Sequence, residues 1–305
     1  MSLNSKTAAS VINDLLEITS KFQFTDGFFK TNIPFLSVLR AANPTEFEHG
    51  FLNPQICILI QGNKKLYIGN KSIDLEAENY IASNIDMPIS GYVSKASNEV
   101  PYIAIKIEFT SDEFVDVALN ANIKSRREIE LKEGACVGKI GVDVLLVIEK
   151  LLKFIGDTKA ADFLAPAMKR EIIYYLLTGE DGDMFYNNML LHNEALSINK
   201  AINYIKSNYK NSLSVEEIAR VCNMSMSTLY HKFKVITTLS PIQYQKQLRL
   251  QEARRILLSG GVDVTRTALE VGYESMTQFN REYKRLFGLP PLKDIKNILT
   301  KASIN

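Results

Sequence analysis

The sequence predicts an α+β fold in two parts: an antiparallel β-barrel or sandwich with covering helices, followed by an all-α domain. Three observations predict it. Between residues 35 and 109, apolar residues alternate with a period of two and short turns intervene. From about residue 141 the period becomes helical. Between Leu213 and Pro291 one helix-turn-helix pattern occurs twice. A chain of 305 residues is long enough for two domains, each with its own core.

The chain opens with a predicted helix over Val11–Phe22, with Val11, Leu15, Ile18 and Phe22 on one face. Strands are then expected at 35–39, 55–60, 64–68, 71–75, 80–82, 89–93 and 102–109. Gly62-Asn63 and Gly69-Asn70 mark turns, with Ser90-Gly91 as a further turn signal. Leu66, Ile68, Ile73 and Leu75 share one face of a hairpin, and Ile103, Ile105, Ile107 and Phe109 alternate with Ala104, Lys106 and Glu108. Short antiparallel strands with tight turns make a barrel or sandwich. Such a barrel can hold one small ligand or be filled by its own side chains.

Gly141–Ile155 and Asp162–Leu177 read as helices. Their stripes are Val142, Leu145, Leu146, Leu152 and Ile155, then Met168, Ile172, Tyr175 and Leu176. So much apolar surface is expected to form a dimer interface, with packing against the barrel as the alternative. Gly179 and Gly182 sit where a helix C-cap is expected, and residues 184–192 suit a short helix and linker. The domain boundary is expected between Met189 and Ser197, giving a regulatory domain over 1–190 and a second domain over 195–293.

The second domain opens with a support helix carrying Ile198, Ile202 and Ile205, and Ser214 with Glu217 is read as a capping box. The repeated units occupy 215–236 and 263–286. Each has a small residue where helices cross (Ala219, Ala268) and, four residues later, one that tolerates a left-handed backbone (Asn223, Gly272). A capping serine follows (Ser225, Ser275), then apolar pairs four apart, Leu229 with Phe233 and Phe279 with Tyr283. The second turn is one residue longer than the first. Between the units a helix opens at Pro241, runs to Leu258 with Leu248, Ala253, Ile256 and Leu257 inward, and stops at Ser259-Gly260-Gly261. That rod is on the order of 27 Å long. Successive major-groove faces recur about every 34 Å, so one polypeptide can address neighbouring grooves.

Charge supports contact with nucleic acid. Residues 195–305 hold 17 Lys and Arg against 8 Asp and Glu, while residues 1–194 hold 19 against 26. Cys57, Cys136 and Cys222 form no CxxC pair and suit free thiols of a cytoplasmic protein. No signal peptide or membrane span is expected. The strands offer only His49, and there is no GxSxG, HExxH, P-loop or Rossmann glycine pattern, so neither a catalytic constellation, a metal site nor a cofactor is expected.

The predicted DNA-facing residues are Ser227, Thr228, His231 and Lys232 in the first unit and Thr277, Gln278, Arg281 and Lys284 in the second. Arg281 and Gln278 have the donor geometry for guanine and adenine edges, and Thr228 and Thr277 suit thymine methyls. Lys232, Lys234, Lys284 and Arg285 suit phosphates. His231, mostly neutral near pH 7, suits either a base or a phosphate. For each, an ordinary solvent-exposed polar residue is the alternative.

At EEIARVCNMSMSTLYHKFK, SPIQYQKQLRLQEARRIL and ALEVGYESMTQFNREYKRLFGLPP the chain resembles the AraC/XylS family of bacterial transcription regulators. NPQICILIQGNKKLYIG, NIDMPISGYV and REIIYYLLTG are similar to one subgroup's regulatory domain. The resemblance implies a cupin-like barrel with a helical dimerisation region, joined to paired helix-turn-helix units. It implies a ligand-responsive regulator whose partners are double-stranded DNA, a small-molecule effector, a second copy of the chain and RNA polymerase. No ligand-binding residues carry over. Three departures stand out. Thr238 replaces a common glycine, so the corner is expected to use a different backbone conformation; Met226 and Met276 stand where proline is frequent; His231 stands where arginine is common. Two rival readings are a metal-dependent barrel enzyme with a DNA-binding tail and an architectural DNA binder without sequence preference.

Overall fold

The computed structural model describes residues 6–22, 24–83, 85–124, 134–183, 185–186, 192–260 and 263–302. The chain divides into two compact units, one of residues 1–47 and 52–192, the other of residues 48–51 and 193–305.

The first unit opens with α1 (Ala8–Lys21), whose first turn is capped by the Thr7 hydroxyl accepting from the Ser10 N–H. Ten strands follow in chain order among the described residues: β1 (Gly27–Lys30), β2 (Leu36–Ala41), β3 (Glu48–Leu52), of which residues 48–51 count with the second unit, β4 (Gln55–Gln61), β5 (Asn63–Ile68), β6 (Lys71–Leu75), β7 (Asn79–Ser83), β8 (Met87–Lys95), β9 (Tyr102–Glu108) and β10 (Ala135–Lys139). One sheet has the order β1-β2-β9-β4-β7-β10, the other β3-β8-β5-β6. The strand pairs run antiparallel. β1, β3 and β10 were not predicted. β1 and β10 are edge strands, and a four- or five-residue edge strand lacks a sustained alternation to read.

Alternation places Leu36 and Val38, Ile56 and Ile58, and Ile103, Ile105 and Ile107 on one face of the larger sheet. They join one core with α1, α2 (Ser111–Asn120), α3 (Val142–Lys153) and α4 (Thr158–Thr178). The hairpin of β5 and β6 has the expected register, with Leu66 opposite Ile73. Gly62 and Gly69 have positive φ, as their turns require. Gly91 is not in a turn; it lies inside β8 opposite Leu66, where a Cβ would meet the Lys65 carbonyl at 2.4 Å.

The expected dimer interface is corrected here. Leu145, Leu152, Ile172 and Leu176 are buried in the unit's own core, together with Val144, Val147, Ile148 and Leu151. The stripes of α3 and α4 pack into that core, against each other and against α1 and α2, each buried aliphatic side chain contributing about 1.5–3 kcal/mol. The exposed apolar residues of α4 are instead Phe163, 84% exposed, with Leu164 and Tyr174. Gly179 ends α4 in an extended conformation, its N–H on the Tyr175 carbonyl, rather than as a left-handed cap. The short helix expected at 184–192 falls mostly outside the described residues.

The second unit contains α5 (His192–Asn208), α6 (Val215–Val221), α7 (Met226–Thr237), α8 (Pro241–Ser259), α9 (Val264–Glu270), α10 (Met276–Phe287) and α11 (Pro291–Ala302). Ile198, Ile202 and Ile205 are buried as expected. In α8, Ala253, Ile256 and Leu257 are buried, but Leu248 is only half-buried and Tyr244 and Leu250 take the inward positions. Pro241 opens α8 with a capping box in which the Ser240 hydroxyl accepts from the Gln243 N–H and the Gln243 side chain accepts from the Ser240 N–H. At α6 only half of the expected box forms: Ser214 accepts from the Glu217 N–H, while the Glu217 carboxylate takes the Tyr204 hydroxyl.

Candidate nucleic-acid interface

Both repeated units close by the same backbone device. The Ala219 carbonyl accepts from the Met224 N–H at 2.9 Å, and the Ala268 carbonyl accepts from the Tyr273 N–H at 2.9 Å. Each reversal passes through a left-handed residue, Asn223 at φ 53 or Gly272 at φ 94. Ser225 and Ser275 then cap the following helices by accepting from the Thr228 and Gln278 N–H groups. Leu229, Phe233, Phe279 and Tyr283 are fully buried and fix the rotation of α7 and α10. What remains outward is therefore set by helical geometry.

Outward on α7 are Ser227, Thr228, His231 and Lys234, while Lys232 is half-buried. The Thr228 hydroxyl lies 2.8 Å from the Ser225 hydroxyl. Ser227, Tyr230, His231, Lys234 and Val235 line a shallow concavity on this face. Tyr230, 47% exposed, was missed by sequence reasoning. Its signal was its spacing, three residues after Ser227 and four before Lys234.

Outward on α10 are Thr277, Asn280, Arg281, Lys284 and Arg285. Gln278 is different: it is half-buried and its Nε2 donates to Glu282 Oε1 at 3.2 Å. Glu282 is 5% exposed and also accepts from Lys246 Nζ and from the Tyr273 hydroxyl, both at 2.8 Å. Burial pushes the Glu282 carboxyl up, but the hydrogen bonds from Lys246, Tyr273 and Gln278 outweigh it and hold it below the usual carboxylate range. The Gln278 amide is thus part of the support beneath α10. Asn280 and Arg281 are the outward residues beside it.

Two further clusters hold the units on α8. Arg249 donates to the carbonyls of Tyr209, Lys210, Asn211 and Gly272, joining the loop before the first unit to the turn of the second. Arg254 forks onto both oxygens of Asp294, at 2.9 and 3.0 Å, and Asp294 also accepts from the Tyr283 hydroxyl at 2.8 Å. Asp294 lies on α11, which was not predicted although Pro291 at its start and Leu292, Ile295 and Leu299 at helical spacing mark it. Thr238 corrects another expectation. It caps α7 in the left-handed conformation itself, φ 65 and ψ −4, as Gly288 caps α10.

Among the described residues, no three His, Cys, Asp or Glu side chains are grouped to hold a metal ion, and no helix is long and apolar enough to cross a membrane.

The fold and these two units define a helix-turn-helix protein with an N-terminal antiparallel β domain. Residues 32–184 match the family described as AraC-type transcriptional regulator N-terminus, and residues 218–297 match a helix-turn-helix domain family. The chain belongs to the AraC/XylS family of transcription regulators. It is 32% identical over 101 residues to the Msm operon regulatory protein of Streptococcus mutans, a stretch covering 33% of this chain and 36% of that protein. It is 24% identical over 160 residues to the transcriptional activator RhaS of Escherichia coli, covering 52% and 56% respectively. These matches thus span between about a third and just over half of the curated relatives. In fold it is similar to ToxT from Vibrio cholerae, solved with an unsaturated fatty acid bound, at a TM-score of 0.55 and 13% identity over 90% of this chain and 97% of that one.

Proposed function

We propose that the protein is a sequence-specific transcription regulator that reads duplex DNA with α7 and α10 and answers to a small molecule bound in its β domain. The observation that carries this reading is the duplication itself: two turns closed by the same backbone hydrogen bond, each leading into a helix whose outer face is polar or cationic, joined by one 19-residue rod. Ser227, Thr228, Tyr230 and His231 are proposed to face one major groove, and Thr277, Asn280, Arg281 and Lys284 the next. Lys232, Lys234 and Arg285 supply phosphate contacts. Gln278 acts from beneath through Glu282. RNA polymerase and a second copy of the chain are the proposed protein partners, with the exposed Phe163 face of α4 as the contact between copies. ToxT, a protein of similar fold solved with an unsaturated fatty acid bound, supports binding of a small-molecule effector.

Selection of bound sites from random DNA tests this reading. Two short elements about one helical turn apart are expected per protomer. Binding without sequence preference at ~150 mM salt favours the architectural alternative.

A further inference from the structure

The second unit carries a groove that the reading helices do not use. It runs between α11, the end of α8 and the start of α9, and has a volume of about 550 Å³. Its floor is Leu257, which is buried, with Val264 and Ile295, which are half-buried and pack on the core beneath. Leu292, 73% exposed, and Leu299, 48% exposed, line it from α11. Leu292, Ile295 and Leu299 fall at i, i+3 and i+7, so they make one stripe along the helix. That stripe is on the order of 10 Å long. Large aliphatic side chains grouped round a groove mark an interaction site, whereas single ones scattered over a surface do not. An elongated apolar groove of this kind suits a helix laid along it, with apolar residues three and four apart.

The charges round the groove select its occupant. Lys296 lines it and Lys293 stands one turn earlier on α11; both are exposed. Among the described residues neither has a carboxylate partner. The nearby acids are engaged elsewhere. Asp294 is 4% exposed and accepts from Arg254 and from the Tyr283 hydroxyl. Asp263, the one carboxylate of the lining, caps α9 by accepting from the Arg266 N–H at 2.9 Å, where the helix N-terminus offsets its charge. A second copy is a poor occupant. Lys296 lies at the middle of the stripe, so a twofold pairing of α11 with itself, parallel or antiparallel, sets that lysine beside its own counterpart. Like charges so placed repel.

We propose that this groove docks an acidic amphipathic helix of a partner protein, its apolar residues on Leu292, Ile295 and Leu299 and its acidic flank on Lys296. None of the lining residues is among those proposed to touch DNA, so this surface stands or falls separately from the reading of α7 and α10.

The test titrates the full chain, free of DNA, with three fluorescein-labelled synthetic peptides of about 14 residues. One carries leucines three and four apart flanked by glutamates. The second has lysine for every glutamate. The third is the first with its order scrambled so that no apolar face forms. Fluorescence anisotropy should show saturable binding of the acidic peptide, roughly ten-fold or more tighter than either control. Lys296→Glu should invert the charge preference, so that the lysine peptide binds better, and Leu299→Ser should weaken the acidic peptide several-fold. Circular dichroism of each variant checks that it is folded. Equal binding of the scrambled peptide overturns the groove as the site. Loss of the acidic peptide in Arg281→Ala, with Lys296→Glu binding as the parent does, places the peptide on the DNA-reading face and overturns the location. Self-association of the parent chain in sedimentation that Leu299→Ser abolishes assigns the groove to a second copy and overturns the acidic partner. Failure of the acidic peptide to bind overturns the proposal and leaves the DNA-reading account untouched.

Discussion

Glu282→Ala tests how the second recognition helix is held. The substitution removes a carboxylate that is 5% exposed and accepts from three side chains. The buried Tyr273 hydroxyl then loses its partner, at about 1–3 kcal/mol. Lys246 is 38% exposed and rehydrates, so its share is discounted to about 0–1 kcal/mol. Gln278 is half-buried and loses a similar amount. The sum is a destabilisation of about 1–5 kcal/mol, read from urea denaturation of the full chain followed by far-ultraviolet ellipticity, which the helical unit dominates. Tyr273→Phe, which removes one donor only, should cost about 1 kcal/mol. The pH dependence follows the same network. The Glu282 carboxyl is held below its unfolded value of about 4.3, so its stabilisation is complete above that pH and is lost as pH falls through the lowered folded value. A Glu282→Ala variant within about 0.5 kcal/mol of the parent at neutral pH would show that the network does not support α10.

Further expectations concern the reading face, the turns and the surface. Arg281→Ala should weaken DNA binding by about 1–3 kcal/mol and relax preference at one base position; a uniform loss with the salt slope reduced by about one unit would assign it to a phosphate. Gly272→Ala places a Cβ 2.1 Å from the Lys210 carbonyl at φ 94, and should cost on the order of 2–4 kcal/mol in thermal or urea unfolding. Thr238→Gly removes a β-branched residue from the left-handed region and should stabilise by about 1 kcal/mol; destabilisation would mean its side-chain packing outweighs the strain. Phe163→Glu should shift sedimentation towards monomer if α4 joins two copies, and an unchanged profile removes that face from the assembly.

Much of the helical unit was legible because its signals are local. Alanine, then a left-handed residue, then serine, then a pair of apolar residues four apart specify a turn and the rotation of the helix after it. Those features say which side faces out, but not how an outward polar group spends its hydrogen bonds. Gln278 reads as a base contact by spacing, and the hydrogen bond that its amide gives to Glu282 is something spacing does not disclose. Arg249 and Asp294 were invisible for the same reason, since their partners lie 11 to 40 residues away. In the β domain, alternation disclosed the long strands and missed short edge strands. The apolar helices α3 and α4 advertised burial without naming the surface that buries them, and it proved to be the unit's own core, shared with α1, α2 and the sheet. Thr238 shows the limit of propensity: surrounding structure imposes a conformation that its side chain disfavours.

Footprinting on a selected site most directly tests whether one subunit reads consecutive grooves. With a single protomer bound, two protected major-groove segments about one turn apart on the same side of the duplex are expected, one lost with a substituted α7 face and the other with Arg281→Ala. A single protected segment, or two that respond alike to both substitutions, would contradict it.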